Sequence, residues 1–239
     1  MLYLRSLFFT IWVYGGMVVL GILGAPFAIW SRAGAYKVMR LYVRFVKWSL
    51  RVFIGLTCEV RGTPPVGDVL IAAKHQSFLD IMLIFETVPQ AKFVMKRAVM
   101  WTPIIGLYAL RIGANPVTRG KGRKSVDEMM RGVEANRKKP GQLIIYPQGT
   151  RVPPRTVAPY KRGAQLIYET YQMPCVPVAV NAGHFWPKSG IPKYAGVTVV
   201  QFLDPLPAGL DSQAFMTGIE EAIEPASEAL AKEAEQFGR

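Results

Sequence analysis

Histidine and cysteine are scarce in this chain, two of each among 239 residues. Cys58 and Cys175 stand far apart without C-x-x-C spacing, the pattern of two buried free thiols in a reducing compartment. His75 and His184 are equally scattered, so no zinc ligand set can be assembled, and neither a metal nor a cofactor is expected. Acids are few as well: 16 Asp and Glu face 29 Lys and Arg, a formal net charge of +13. The imbalance is uneven, with 27 bases and 8 acids before Asp204 but 2 bases and 8 acids from there on. A basic body calls for anionic partners such as lipid headgroups, nucleic acid or phosphorylated ligands. Neither a helix-turn-helix nor an aromatic RNA-binding signature is present, so nucleic acid is not expected. With 51% of residues hydrophobic, a membrane surface fits better. Internal repeats and low-complexity tracts are also missing.

Charge is absent altogether from residues 6–31. As a helix this run would be about 39 Å long at roughly 1.5 Å per residue, enough to cross a bilayer core of about 30 Å. Gly15, Gly16, Gly21 and Gly24 dilute it, and Pro26 predicts a break or kink. Residues 7–20 would also serve as the apolar core of a signal peptide, although Leu23-Gly24-Ala25 is a poor cleavage site. Next, Lys37, Arg40, Arg44, Lys47 and Arg51 recur at spacings of three and four, forming one basic stripe. Leu41, Tyr42, Phe45, Trp48 and Val52 fill the neighbouring face. Such a helix lies in the headgroup region of a bilayer, the alternative being a surface helix packed on the protein core. Residues 1–55 are therefore expected to be a membrane-anchoring helical pair, spanning or inserted as a hairpin, ahead of a domain over 56–239.

From Leu56 onward short β-type runs alternate with helical ones. Strands are expected over 57–61, 69–73, 92–95, 112–116, 143–146, 175–180 and 197–202, and helices over 78–86, 101–110, 125–138 and 163–171. That alternation predicts an α/β sheet with helices on its faces and sites gathered at strand ends. The tail over 211–235 reads as a solvated helix with an acidic face, split by Pro225.

The run Val69-Leu70-Ile71-Ala72-Ala73 leads to His75, and Asp80 follows five residues later. On one continuous helix those side chains would diverge by about 140°. They meet only if His75 lies in the turn after a strand and Asp80 sits one turn into the next helix, with Ser77 as N-cap. Ser77-Phe78-Leu79-Asp80 is also a capping-box pattern, in which Asp80 merely closes the helix. Read as a dyad, Asp80 would fix the imidazole tautomer and leave the other nitrogen as a general base. Neither a serine elbow nor a reactive cysteine is nearby, so the base would act on a substrate hydroxyl, which means transfer onto an alcohol.

A second strand, 143–146, runs into Pro147-Gln148-Gly149-Thr150-Arg151. Turn amides beside a guanidinium fork make a receptor for phosphate or an oxyanion. Arg119, after the Gly113-Ala114-Asn115-Pro116 turn, and Lys96 are further candidates for clamping one anion.

In these motifs the chain resembles the glycerophospholipid acyltransferase family, specifically the bacterial 1-acyl-sn-glycerol-3-phosphate acyltransferases. The family's H-x-x-x-x-D is matched by His75 and Asp80. Its Lys, Pro, two Gly and Arg motif is matched by Lys96, Pro103, Gly106, Gly113 and Arg119. Its E-G-T-R is matched by Gln148, Gly149, Thr150 and Arg151 after Tyr146-Pro147, and its V-P-V run by Val176-Pro177-Val178. One departure stands out, since Gln148 occupies the position where the family usually has Glu.

The resemblance implies a mixed, mostly parallel sheet flanked by helices. It also implies an acyl thioester donor on coenzyme A or acyl carrier protein, a lysophosphatidic acid acceptor and a phosphatidic acid product. His75 would take the proton of the sn-2 hydroxyl, and amides near Gln76 or the Gly149 turn would hold the oxyanion. Arg151, with Lys96 and Arg119, would hold the phosphate, and Gln148, Gly149 and Thr150 would complete the substrate site. The expected setting is the inner membrane, with the site on its cytoplasmic face. Two other readings stand beside this one. One is transfer to a phosphate-free lysolipid such as a lyso-aminolipid, for which Gln148 is the only support; the other is a non-catalytic basic protein of the membrane surface.

Overall fold

Seven short apolar runs pair into a single sheet in a computed structural model that describes residues 1–118, 123–135 and 141–237. The strands are β1 (Leu56–Arg61), β2 (Leu70–Ala73), β3 (Lys92–Lys96), β4 (Asn115–Val117), β5 (Leu143–Ile145), β6 (Cys175–Val180) and β7 (Gly196–Phe202). Their order is β1-β7-β6-β2-β5-β3-β4. Every pairing is parallel except β6 with β7. Strands β2, β5 and β6 are buried along their whole length, which is why they read as continuous apolar runs rather than alternating ones. The fold is therefore the mixed, mostly parallel α/β sheet expected.

The helices are α1 (Leu2–Trp30), α2 (Arg32–Ser49), α3 (Phe78–Thr87), α4 (Pro103–Ile112), α5 (Arg123–Ala135), α6 (Gly163–Tyr171), α7 (Ala182–Phe185) and α8 (Ser212–Glu235). One expected strand is shortened and displaced. Helix α4 runs on to Ile112, and Gly113, in the left-handed region at φ 79°, ends it, so pairing begins only at Asn115. Residues 136–138 of the expected fifth helix lie outside the described residues.

Pro26 does not break α1, which continues through it to Trp30, where Ser31 caps α2 by accepting from the Gly34 amide. Three of the four glycines that dilute α1, Gly16, Gly21 and Gly24, are contact points, while Gly15 faces open space. A Cβ at Gly24 would lie 2.4 Å from Val38 of α2, and one at Gly21 would lie 2.5 Å from Ile104 of α4. Tyr108 and Arg111 of α4 donate to the carbonyls of Gly21 and Ala28. Phe9, Val13 and Ala28 of α1 thus join the same apolar core as Ile71 and Val178 of the sheet. The opposite face of α1 points outward, with Leu4, Ile11, Ile22, Leu23 and Trp30 all more than 60% exposed. It is long and apolar enough to cross a membrane.

The basic stripe read along α2 divides between contacts to the protein and solvent. Arg40 donates to the carbonyls of Val88 and Pro89, Lys47 pairs with Glu86 at 2.8 Å, and Arg44 reaches the same carboxylate at 3.6 Å. Lys37 and Arg51 stay exposed. Val43 and Val46 are buried, whereas Leu41, Trp48 and Val52 are exposed.

The acidic tail is a second correction. Helix α8 is capped by Asp211, runs unbroken through Pro225, and buries Phe215, Ile219, Ile223 and Leu230 instead of lying in solvent. Proline deletes one helical hydrogen bond, but side chains from both halves are packed into the apolar cores, Phe215 stacking on Tyr168 at 3.9 Å.

Candidate active site

Pairing between β2 and β6 extends one residue past Ala73, because the Lys74 amide donates to the Val178 carbonyl. The chain then turns through His75 and Gln76, and Ser77 caps α3 with its Oγ accepting from the Leu79 amide. His75 Nδ1 lies 2.9 Å from Asp80 Oδ1. Asp80 Oδ2 accepts from the amides of Gln76 at 2.8 Å and Ser77 at 2.7 Å. Asp80 therefore closes the capping box with one oxygen and meets the imidazole with the other. A carboxylate can only accept, so Nδ1 carries the hydrogen, and in the neutral imidazole Nε2 then holds the lone pair. Asp80 is fully buried and His75 is 8% exposed.

Tyr146, just past β5, stacks on the His75 ring at 4.0 Å between centroids and 21° between planes. Burial, reinforced by the nearby Asp80 carboxylate, pushes the Tyr146 hydroxyl well above the usual phenol range and keeps it neutral. Burial also pushes the Cys58 and Cys175 thiols up to about 12, so neither is a thiolate near neutrality.

His75 opens on a cavity of about 850 Å³, within the range of roughly 300–1,000 Å³ usual for ligand sites. Helices α1 to α4 supply apolar wall, including Met17, Met39, Phe85 and Ile104. Lys96, Thr150 and Arg151 line the same space, so three of the residues singled out from sequence share one cavity with His75. Gln148 and Gly149 do not line it. The Gln148 amide is buried and turned toward Glu224 Oε1, 3.4 Å away, while Gly149, at φ 68°, forms the turn that brings Thr150 and Arg151 round. Arg119 lies outside the described residues.

Of the amides near Gln76 and in the Gly149 turn, those of Gln76 and Gly149 themselves are engaged, donating to Asp80 and to the Tyr146 carbonyl at 2.8 Å. Two further cations at the cavity, Lys188 and Lys193, carried no motif and come from the segment between α7 and β7. Lys188 and Arg151 each donate to the other's carbonyl, at 3.2 and 3.4 Å, tying that segment to the turn after β5. Lys193 Nζ donates to the Ile191 carbonyl at 2.8 Å and sits 5.3 Å from the centre of the Trp186 ring. Burial lowers its pKa below the usual lysine range. Among the described residues, no carboxylate lines this cavity. Its only faint trace in sequence is the lysine pair in Pro187-Lys188-Ser189-Gly190-Ile191-Pro192-Lys193.

An imidazole oriented by a carboxylate, facing apolar and cationic walls together, suits acyl transfer, and residues 57–181 match the Acyltransferase family, to which the chain belongs. That span runs from β1 to just past β6 and includes every motif residue in the cavity. A 1-acyl-sn-glycerol-3-phosphate acyltransferase of Pseudomonas aeruginosa is 30% identical over 174 residues, covering 71% of this chain and 66% of the relative. The human 1-acyl-sn-glycerol-3-phosphate acyltransferase alpha is 26% identical over 208 residues, covering 84% and 72%. Coverage of a chloroplastic Brassica napus relative of the same description is 55%, so the chain spans less than two thirds of some of these proteins. The crystal structure of the 1-acyl-sn-glycerophosphate (LPA) acyltransferase from Thermotoga maritima is similar with a TM-score of 0.78, covering 96% of this chain and 99% of that one. At 21% identity, that likeness establishes the fold.

Proposed function

We propose that this chain is an O-acyltransferase moving a fatty acyl group from an acyl thioester to the sn-2 hydroxyl of 1-acyl-glycerol-3-phosphate, giving phosphatidic acid. The donor is carried on coenzyme A or acyl carrier protein. The single observation behind this reading is the His75–Asp80 pair, at 2.9 Å, opening onto a cavity with apolar walls and cations but no lining carboxylate among the described residues. His75 Nε2 takes the hydroxyl proton as the oxygen attacks the thioester carbonyl. The tetrahedral intermediate collapses with cleavage of the C–S bond, and the imidazolium returns its proton to the leaving thiolate. Asp80 stabilises the imidazolium between these steps. General-base chemistry of this kind contributes about 10²–10⁴ in rate, and juxtaposition of the two substrates supplies another large part.

Arg151 holds the acceptor phosphate, with Lys96 and Lys193 adding positive charge, and Thr150 offers a hydroxyl beside them. Arg119 has the same assigned role from sequence. The acyl chains occupy the apolar wall between α1 and α4. Residues 1–55 serve as the anchor: the outward face of α1, with Trp48 of α2 and Val52 just beyond it, lies in the bilayer, which delivers the lysolipid laterally. The setting is the inner membrane, with the cavity on its cytoplasmic side. A phosphate-free acceptor loses its one support, because Gln148 is turned to Glu224 rather than to the cavity. Purified protein should acylate lysophosphatidic acid in preference to a phosphate-free lysolipid with one common donor. Equal or greater transfer to the phosphate-free lipid would overturn the acceptor assignment.

A further inference from the structure

Directly behind the dyad lies a second polar cluster that the mechanism above does not use. Lys74 precedes His75, yet the two side chains leave the chain in different directions: the imidazole faces the cavity, and the ammonium, 2% exposed, faces α8. There Lys74 Nζ meets both oxygens of Glu224, at 2.7 and 2.6 Å, and donates to the Thr156 carbonyl at 3.2 Å. Tyr160 donates its hydroxyl to Glu224 Oε1 at 2.8 Å, and Gln148 directs its amide nitrogen to the same oxygen at 3.4 Å. The Gln148 amide nitrogen also reaches the Ala158 carbonyl at 3.5 Å. One carboxylate therefore gathers the residue beside His75, the turn carrying Thr150 and Arg151, and the loop that follows.

We propose that Glu224 is a positioning residue for acyl transfer, supplying from the C-terminal helix the carboxylate bound to Lys74 that locks His75 and the Thr150-Arg151 turn in register, with a neutral donor required at Gln148. The charge count explains the Gln. Lys74 is a single buried cation, and Glu224 balances it. A second carboxylate at position 148 would sit against the first in the same desolvated space, where like charges disfavour ionisation. An amide there donates instead. The departure at 148 and the acid on α8 are thus two halves of one arrangement, and the carboxylate and the amide are exchangeable between the two positions. The role rests on the functional reading above, since it needs a reaction to position.

Four proteins test it: wild type, E224Q, Q148E and the exchange variant Q148E/E224Q, each assayed for kcat, acceptor KM and Tm. E224Q and Q148E should each lose at least tenfold in kcat at a temperature where they stay folded, and the exchange variant should return to within about threefold of wild type, a coupling that two independent sites do not show. A purely structural contact would lower Tm and leave kcat of the folded enzyme alone. If E224Q does not fold, the exchange variant decides: folded and active supports the proposal, inactive overturns it. A wild-type kcat in E224Q, or an exchange variant no better than the worse single variant, overturns it while leaving the acyltransferase reading intact. Absence of transfer by the wild type to any lysolipid overturns both.

Discussion

Replacing Asp80 with Asn separates the two duties of its carboxylate. The new amide has one accepting oxygen, which can keep the Gln76 and Ser77 amides now held at 2.8 and 2.7 Å. Its nitrogen then faces His75 Nδ1 and can only donate, which moves the imidazole hydrogen to Nε2. The helix cap survives and the base is gone. Loss of positioned base catalysis is about 10²–10⁴ in kcat, or about 3–5 kcal/mol of transition-state stabilisation. Asp80→Ala carries a further penalty, because two amides at buried residues lose their acceptor at about 1–3 kcal/mol each. For a chain of this size that is a fall in Tm on the order of 10 °C. The assay is thiol release from an acyl thioester at saturating lysolipid in detergent micelles, paired with a thermal melt. D80N should melt within a few degrees of wild type, on the order of 3 °C, yet turn over at least 100-fold more slowly, while D80A should lose both. A D80N protein within threefold of wild-type kcat, or one as unstable as D80A, would refute the tautomer argument.

His75→Ala should abolish turnover and leave flotation with anionic vesicles unchanged, since the exposed face of α1 is untouched; near wild-type acylation would remove the general base. Arg151→Ala, losing a charge-assisted contact of about 1.5–3 kcal/mol, should raise the acceptor KM roughly 10- to 150-fold and the donor KM far less, and equal effects on both would remove its phosphate role. Lys193 gives a pH test. Its pKa is lowered by burial, so it loses its charge, and its pull on an anion, at a lower pH than an ordinary lysine does. Acceptor KM should therefore climb with pH before the range in which an ordinary lysine titrates, and K193R, which stays protonated, should move that climb to higher pH. An identical pH profile in K193R would exclude Lys193 from anion binding.

Most of the strand and helix segments, and the meeting of His75 with Asp80, were legible in one dimension because both are local. A buried parallel strand is an apolar run, Ser77 announces a helix start, and a spacing of five bridges a turn and one helical turn. The Gly149 turn, with Thr150 and Arg151 behind it, was equally open to reading. Prolines misled in α1 and α8, where packing on both sides of Pro26 and Pro225 outweighs the lost hydrogen bond. Three of the five stripe residues were likewise claimed by the end of α3 and the loop after it, Arg44 and Lys47 by Glu86 and Arg40 by the Val88 and Pro89 carbonyls.

Sequence by itself determined what each segment is, since propensity, capping and charge act over a few residues. Tertiary structure alone decided which segments share a site. Lys74 and Glu224 lie 150 residues apart, and Lys193 hydrogen-bonds to Ser6 of α1 across 187 residues. Such pairings exist only because β2 and β6 lie side by side and α1 and α8 dock against the sheet core to bury their apolar faces. The cation-lined cavity and the charge behind the dyad are products of that docking, and no local pattern encodes them.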